Sequence, residues 1–274
     1  MNQEPAEPIR LNKETKQFPD SSLTWVLVRG GGDLATGVAW RLHRSGFRVL
    51  ITEISAPVAV RRRVSFCEAV FVGRAAVEGV VAVLARSADD IPEIWARREI
   101  PVLVDPECKT ALRLRPLVLV DAIMAKRNLG TCITHAQLVI GLGPGFTAGM
   151  DVHCVIETNR GHFLGRVLES GEAEPDTGIP VPVMGIGRDR VIHAPKDGVW
   201  ETHLEIGSTV RAGDEIGRVG GTKAAARTGG VLRGVLAPGV WAKKGMKLAD
   251  IDPRGLRDRC FTVSDKALAV AGGV

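Results

Sequence analysis

From Leu23 to about Gly149 the chain alternates short apolar runs with stretches whose apolar residues recur at helical spacing. The runs Trp25–Val28, Arg48–Thr52, Val81–Leu84, Pro101–Val104, Leu117–Val120 and Leu138–Ile140 are rich in Val, Leu and Ile without polar alternation. That pattern predicts strands buried on both faces, hence a mostly parallel sheet. Between them, Ala35–Leu42 and Ala88–Arg97 read as helices, the second with Arg and Glu opposite its apolar face. In such an α/β sheet the loops at the carboxyl ends of the strands converge on a ligand crevice. Here those loops are Gly30–Ala35, the stretch after Glu53, Asp105-Pro106, Asp121 to Asn128, and Gly141–Gly145.

The second half has a different rhythm. From His193 onward glycines are frequent, strand-like segments are short and helical periodicity disappears. Residues 194–219 align with 226–251 at a constant offset of 32 without gaps. Ala194, Gly198, Val199, Leu204, Gly207, Gly213, Ile216 and Val219 fall on Ala226, Gly230, Val231, Leu236, Gly239, Gly245, Leu248 and Ile251. Matching glycine turns and apolar positions predict two copies of one β-unit about a pseudo-twofold axis. The pattern resembles the biotinyl/lipoyl barrel-sandwich module, but Lys223 in the joining segment lacks the sequence context of an attachment lysine. The expected organisation is a disordered leader (1–22), a Rossmann-like nucleotide-binding domain (23–150), a connecting β-rich segment (151–192), a barrel-sandwich-like repeat domain (193–254) and a C-terminal segment (255–274).

The candidate chemistry centres on Gly30-Gly31-Gly32-Asp33-Leu34-Ala35-Thr36, between the first strand and the first helix. In a G-x-G-x-x-A turn the first glycine permits the bend and the second lets a pyrophosphate approach the backbone. The small Ala35 lets helix and strand pack, and the helix N-terminus offers N–H groups to an anion. Glu53 ends the second strand about where a ribose 2′-hydroxyl acceptor stands in this motif. A second glycine-rich loop, with Gly143 and Gly145, can form an anion nest, but it lacks the Lys-Ser/Thr ending of a P-loop. Lys126, and Arg62 within Arg61–Arg63, can add phosphate-binding charge at the same rim.

A further polar set comprises Asp121, His153, Glu157, Asn159, Arg160 and His162. Read as a strand, Asp151 to Asn159 places Asp151, His153, Glu157 and Asn159 on one face. His153 and Glu157 would then lie about 13 Å apart, too far to share one metal, so no metal site is expected. Catalytic residues cannot be assigned from spacing.

Composition narrows the rest. The formal charge is only +5, with basic residues scattered and no basic stripe interleaved with aromatics, so nucleic acid is not an expected partner. Five widely spaced cysteines without a C-x-x-C pair argue against a disulfide framework and for a reducing cytoplasm, and sulfur transfer by Cys67 or Cys260 is disfavoured. No apolar stretch is long enough to span a bilayer.

Several strings, in order, carry a family resemblance: Gly30–Gly37, Ala59–Arg62 with Val64–Phe66, Pro101–Pro106, Val120–Lys126, Leu142–Gly149, Val155–His162, Ile251–Arg254 and Ser264–Ala267. Through them the chain resembles the bacterial selenium-dependent molybdenum hydroxylase accessory proteins (YqeB type). The resemblance implies help in maturing a hydroxylase of the xanthine-dehydrogenase kind, at cofactor loading or at selenium or sulfur insertion. It implies a molybdenum cofactor dinucleotide as ligand, and a molybdenum hydroxylase or its maturation proteins as partners. The glycine turn and Glu53 would serve NAD(P) equally well, so an NAD(P)-dependent oxidoreductase stays open. So do a non-catalytic adaptor with a vestigial Rossmann domain and a homo-oligomer.

Overall fold

A computed structural model describes residues 25–274; the expected leader, 1–22, lies outside the described residues. In the first half the strands are β1 (Trp25–Arg29), β2 (Arg48–Glu53), β3 (Arg74–Val77), β4 (Val80–Ala85), β5 (Ile100–Val104), β6 (Val118–Asp121), β7 (Leu138–Leu142), β8 (Thr147–Ala148), β9 (Cys154–Ile156), β10 (Val167–Leu168) and β11 (Gly171–Glu172). All but β8 and β11 form one nine-stranded sheet, ordered β10-β9-β7-β6-β1-β2-β5-β4-β3. Its seven central strands run parallel, flanked by antiparallel β3 and β10 at the edges. The fold is therefore mixed α/β with a large, mostly parallel sheet.

Both faces of that sheet are covered, as the unbroken apolar runs require. Val26, Val28, Val49 and Ile51 enter one core, while Trp25, Leu27 and Leu50 enter the other. The helices are α1 (Asp33–Arg44), α2 (Ala69–Val72), α3 (Ile91–Ala96), α4 (Lys109–Arg113) and α5 (Asp265–Gly273). The helix expected at Ala88–Arg97 is shorter, because Ala88–Asp90 form a 3₁₀ turn capped by Ser87 and Pro92 then opens α3. The C-terminal α5 returns to the first sheet and packs on α1, where a Cβ on Gly37 would sit 2.9 Å from the Cβ of Ala267.

The remaining strands are β12 (Val191–His193), β13 (Gly198–Glu201), β14 (Thr209–Val210), β15 (Glu215–Val219), β16 (Thr222–Ala225), β17 (Gly230–Val235), β18 (Trp241–Ala242) and β19 (Lys247–Asp252). They make two antiparallel four-stranded sheets, β12-β19-β17-β14 and β16-β15-β13-β18, around a core centred on the fully buried Trp200. The 32-residue offset reappears as reciprocal backbone bonds. Gly207 N–H donates to Leu232 and Gly239 N–H to Trp200, each at 2.8 Å. Gly213 N–H donates to Ala226 and Gly245 N–H to Ala194, each at 2.9 Å. Each half thus supplies backbone acceptors to the turns of the other.

The two halves meet along the chain segment after β2. Val235 N–H donates to the Val60 carbonyl at 2.8 Å, and Val60 joins the core of the later sheets. No helix among the described residues is long and apolar enough to cross a membrane.

Candidate functional site

The three glycines after β1 have separate tasks. Gly30 turns the chain at φ +95°, and a Cβ there would lie 3.1 Å from the Ile123 backbone, in the loop after β6. At Gly31 a Cβ would meet the Cys67 backbone nitrogen at 2.9 Å. The Gly31 carbonyl accepts the Cys67 N–H at 2.9 Å, and its own N–H donates to Glu53 Oε2 at 2.8 Å. Gly32 alone faces open space, with nothing within 4 Å of a built Cβ. It is the N-cap of α1 and offers no side-chain cap, so the first-turn N–H groups of Asp33, Leu34 and Ala35 have no capping side chain.

One sequence expectation is corrected at this turn. Thr36 is fully buried; its hydroxyl donates to the Gly31 carbonyl at 3.2 Å and accepts the Phe66 N–H at 2.8 Å. It fastens the turn rather than facing a ligand. Glu53 likewise braces the turn, accepting Gly31 N–H on one oxygen and Ile54 N–H, at 2.8 Å, on the other. Burial pushes its carboxyl above the usual glutamate value, while those two N–H bonds pull the other way. A ribose hydroxyl would have to share these oxygens.

Beside the helix start lies a cleft of about 910 Å³ whose lining includes eight Arg and Lys side chains against four Asp. Asp33 and Leu34 contribute from α1, and Arg190, Arg233 and Lys247 from the later sheets. Arg61, not Arg62, is the arginine that reaches this cleft: its Nη1 meets Asp33 at 3.2 Å and its Nη2 the carbonyls of Arg259 and Thr262. Arg62 turns away, giving Nε to the Val235 carbonyl at 2.9 Å and Nη1 to Glu68 at 2.6 Å, and lines a separate recess of about 420 Å³. The reason is the 3₁₀ turn at Arg62–Val64, which points successive side chains about 120° apart.

The second glycine loop closes on protein. A Cβ on Gly143 would sit 2.5 Å from Thr158 Oγ1, and one on Gly145 would sit 2.6 Å from the Arg127 backbone. These glycines allow close loop packing rather than an anion nest. Lys126 is paired with Asp176.

The second polar set is dispersed, because the expected strand over Asp151–Asn159 shrinks to Cys154–Ile156. Asp151 instead accepts the Thr147 N–H at 2.9 Å in a tight turn. His153 precedes β9, at the amino edge of the sheet, and its Nδ1 accepts the Val139 N–H at 2.9 Å. Asp121, at the carboxyl edge, is buried among the Thr131 hydroxyl at 2.6 Å, Arg29 at 3.4 Å and the Ile123 N–H. Glu157 is buried and accepts the N–H groups of Asn159 and Glu174 at 2.6 and 2.8 Å. His162 is exposed, edge-on to Phe163. Only Asn159 and Arg160 reach the cleft. Arg160 grips Asp265 through two bonds of 2.7 and 2.8 Å, holding that carboxyl well below the usual aspartate range.

Sequence reasoning missed Arg190, Arg233, Lys247, Arg254 and Lys266, which stand singly along the chain and gather only in space. Burial pushes the Lys266 amine below its usual value. Cys67 and Cys260 are both buried, and burial raises both thiols, which removes them from thiolate chemistry at neutral pH. Among the described residues no group of three or more His, Cys, Asp or Glu is placed to hold a metal ion.

Among curated proteins, the chain is 47% identical over 249 residues to the uncharacterized protein YqeB of Escherichia coli K12, covering 91% of this chain and 46% of YqeB. A weaker match, 26% identical over 166 residues, is the UDP-N-acetylmuramate–L-alanine ligase of Delftia acidovorans, covering 57% of this chain and 34% of the ligase. The chain thus spans less than half the length of these curated relatives. No family model matches. Of solved structures, the apo ectoine utilization protein EutE (DoeB) of Ruegeria pomeroyi aligns over 83% of this chain and 86% of its own at 14% identity, with a TM-score of 0.25. The product-bound form aligns over 31% of this chain and 27% of its own at 24% identity, with a TM-score of 0.23. Scores of that size carry no inference.

Proposed function

We propose that this chain binds a dinucleotide-containing cofactor and acts as an accessory protein in maturing a molybdenum hydroxylase of the xanthine-dehydrogenase kind. In this reading the first sheet is a Rossmann-like nucleotide-binding domain (23–150), followed by a connecting segment (151–192), a barrel-sandwich-like repeat domain (193–254) and a C-terminal segment (255–274). The hydroxylase part rests on the sequence strings shared with the YqeB-type accessory proteins, and assigns the protein to the bacterial cytoplasm. The binding part rests on one observation. At the carboxyl edge of a parallel sheet, Gly32 leaves open space over an uncapped helix start that borders a basic cleft.

The residues present fit such a group. A pyrophosphate would meet the N–H groups of Gly32, Asp33 and Leu34, with Arg61 supplying positive charge beside them. A ribose hydroxyl would use the remaining lone pairs of Glu53. A volume of about 910 Å³ lies within the range of small-molecule sites. When bound, a molybdenum cofactor dinucleotide would supply the metal and pterin chemistry, while this chain binds the phosphates and orients the nucleotide. NAD(P) presents the same phosphates to the same turn.

The test is gentle purification followed by mass spectrometry of the small molecules that come with the protein, elemental analysis for Mo and Se, and calorimetric titration with dinucleotides. A co-purified pterin dinucleotide or bound molybdenum supports the proposal. Co-purified NAD(P), or an NAD(P)-linked absorbance change with a small substrate, would replace it with the oxidoreductase reading. Absence of any dinucleotide affinity in calorimetry would overturn the binding part and favour the adaptor.

A further inference from the structure

Three arginines converge in the cleft from separated parts of the chain. Arg61 follows β2, Arg190 closes the 3₁₀ turn before β12, and Arg233 lies on β17. Strands β12, β19 and β17 are neighbours, and the β17–β19 register shifts between Leu232 and Gly234, making Arg233 the extra residue of a β-bulge. Bulges re-aim a side chain that regular pairing would place elsewhere, and they favour functional sites. A Cβ on Gly234 would come within 3.3 Å of Arg61 Cγ, so the lack of a side chain there lets Arg61 approach this strand.

The charges around these arginines do not balance. Asp250 serves both Arg190, at 2.8 Å, and Lys247, at 3.4 Å. Asp252 is held by Arg254, and Asp33 by Arg61. Arg233 makes no side-chain hydrogen bond or ion pair among the described residues, and the Nε atoms of Arg61, Arg190 and Arg233 are all buried without a partner. Arg61 and Arg190 are themselves only 8% exposed. Burial and the two neighbouring guanidiniums together disfavour the charged form of Arg233, against the pull of Asp250 and Asp252. Collecting like charges at a half-buried place destabilises the protein unless an anion meets them. Guanidinium groups present paired donors that match phosphate oxygens.

We infer that Arg61, Arg190 and Arg233 form a binding site for a phosphate group, beside the glycine turn, adjoining it at Arg61 and presented partly by the later sheets. The occupant is a phosphoryl dianion, either free or as the terminal group of a larger ligand. The inference does not depend on the glycine turn being a nucleotide site.

The experiment uses the full chain and Arg233→Met, with thermal unfolding followed during titration with inorganic phosphate, pyrophosphate or AMP against sodium chloride of equal ionic strength. The wild type should gain melting temperature saturably with at least one phosphate compound beyond the salt control. Arg233→Met should melt higher than wild type without anion, because a like charge is removed, and should bind the responding compound at least about tenfold more weakly. Response to inorganic phosphate assigns a free ion; response to AMP or pyrophosphate alone assigns a ligand-borne group. A wild type that responds only as to chloride, or an Arg233→Met protein that responds as wild type does, overturns the site. Arg233→Gln gives the same reading should the Met variant fail to fold. Gly32→Val, which obstructs the turn, should leave the phosphate response intact while abolishing dinucleotide binding, so failures at the two sites are separable.

Discussion

Alanine at Gly31 and alanine at Gly32 should behave in opposite ways, although the residues are adjacent. At Gly31 the new methyl would sit 2.9 Å from the Cys67 backbone nitrogen and 3.0 Å from its Cβ. That nitrogen is fixed by its 2.9 Å bond to the Gly31 carbonyl, and Cys67 itself is buried, so the clash cannot be relieved by a rotamer change. Overpacking of this kind costs about 1–3 kcal/mol. For a chain of this size that corresponds to a fall in Tm of roughly 2–12 °C. At Gly32 the methyl enters open space, and φ −67° with ψ −177° suits any L-residue. Reduced freedom of the unfolded chain stabilises by about 0.4–1 kcal/mol, and alanine's weakness as an N-cap offsets much of that. Calorimetric melting should therefore show Gly32→Ala near the wild type and Gly31→Ala clearly below it. Dinucleotide titration should reverse the order of interest, with the well-folded Gly32→Ala losing affinity. Equal melting of both variants, or a wild-type Tm for Gly31→Ala, would refute the division of the turn into a packed glycine and an open one.

Two other outcomes can be checked cheaply. Because burial raises the folded-state pKa of Glu53, ionising it costs stability, and that cost appears as pH rises through the raised value. The Tm of Glu53→Gln relative to wild type should accordingly climb with pH above the ordinary glutamate value; a difference that is flat or falls with pH would show that the N–H bonds from Gly31 and Ile54 dominate. Cys132 is exposed while Cys67, Cys108 and Cys260 are buried, so a thiol reagent should label Cys132 first in the native protein. Cys132→Ser should then remove the fast phase, and persistence of that phase would mean another thiol is open.

The sheet was legible because its signal is local. Continuous Val and Leu runs mark strands covered on both faces, and the strand–glycine–helix order around Gly30–Ala35 specifies a turn whatever it binds. The offset of 32 was legible for a similar reason, since each half repeats the same turns and the same inward positions. Period-two reading failed at Asp151–Asn159, where Asp151 turns back on Thr147 N–H and leaves a three-residue strand. Residue type alone also misled at Gly143 and Gly145. Glycine permits an anion nest and close loop packing equally, and only the positions of Thr158 and Arg127 decide between them.

The choice of Arg62 over Arg61 exposes the deeper limit. Both belong to one basic triplet, and a 3₁₀ turn sends one into the cleft and the other to the Val235 carbonyl and Glu68. No periodicity in three residues can say which goes where. The same holds for the cleft as a whole. Eight of the chain's 36 lysines and arginines line it, yet they come from the segment after β2, the loop after β9, the later sheets with the turn before β12, the segment between β19 and α5, and the start of α5. Along the sequence that basicity reads as scattered solvation. It becomes a concentrated field only when the segment at Val60 ties the later sheets to the edge of the first one and α5 closes against α1. Charge that is unremarkable in composition thus acquires chemical meaning through topology, and the bulged Arg233 is where that meaning is sharpest: among the described residues no carboxylate or carbonyl engages its guanidinium, and its Nε is buried without a partner.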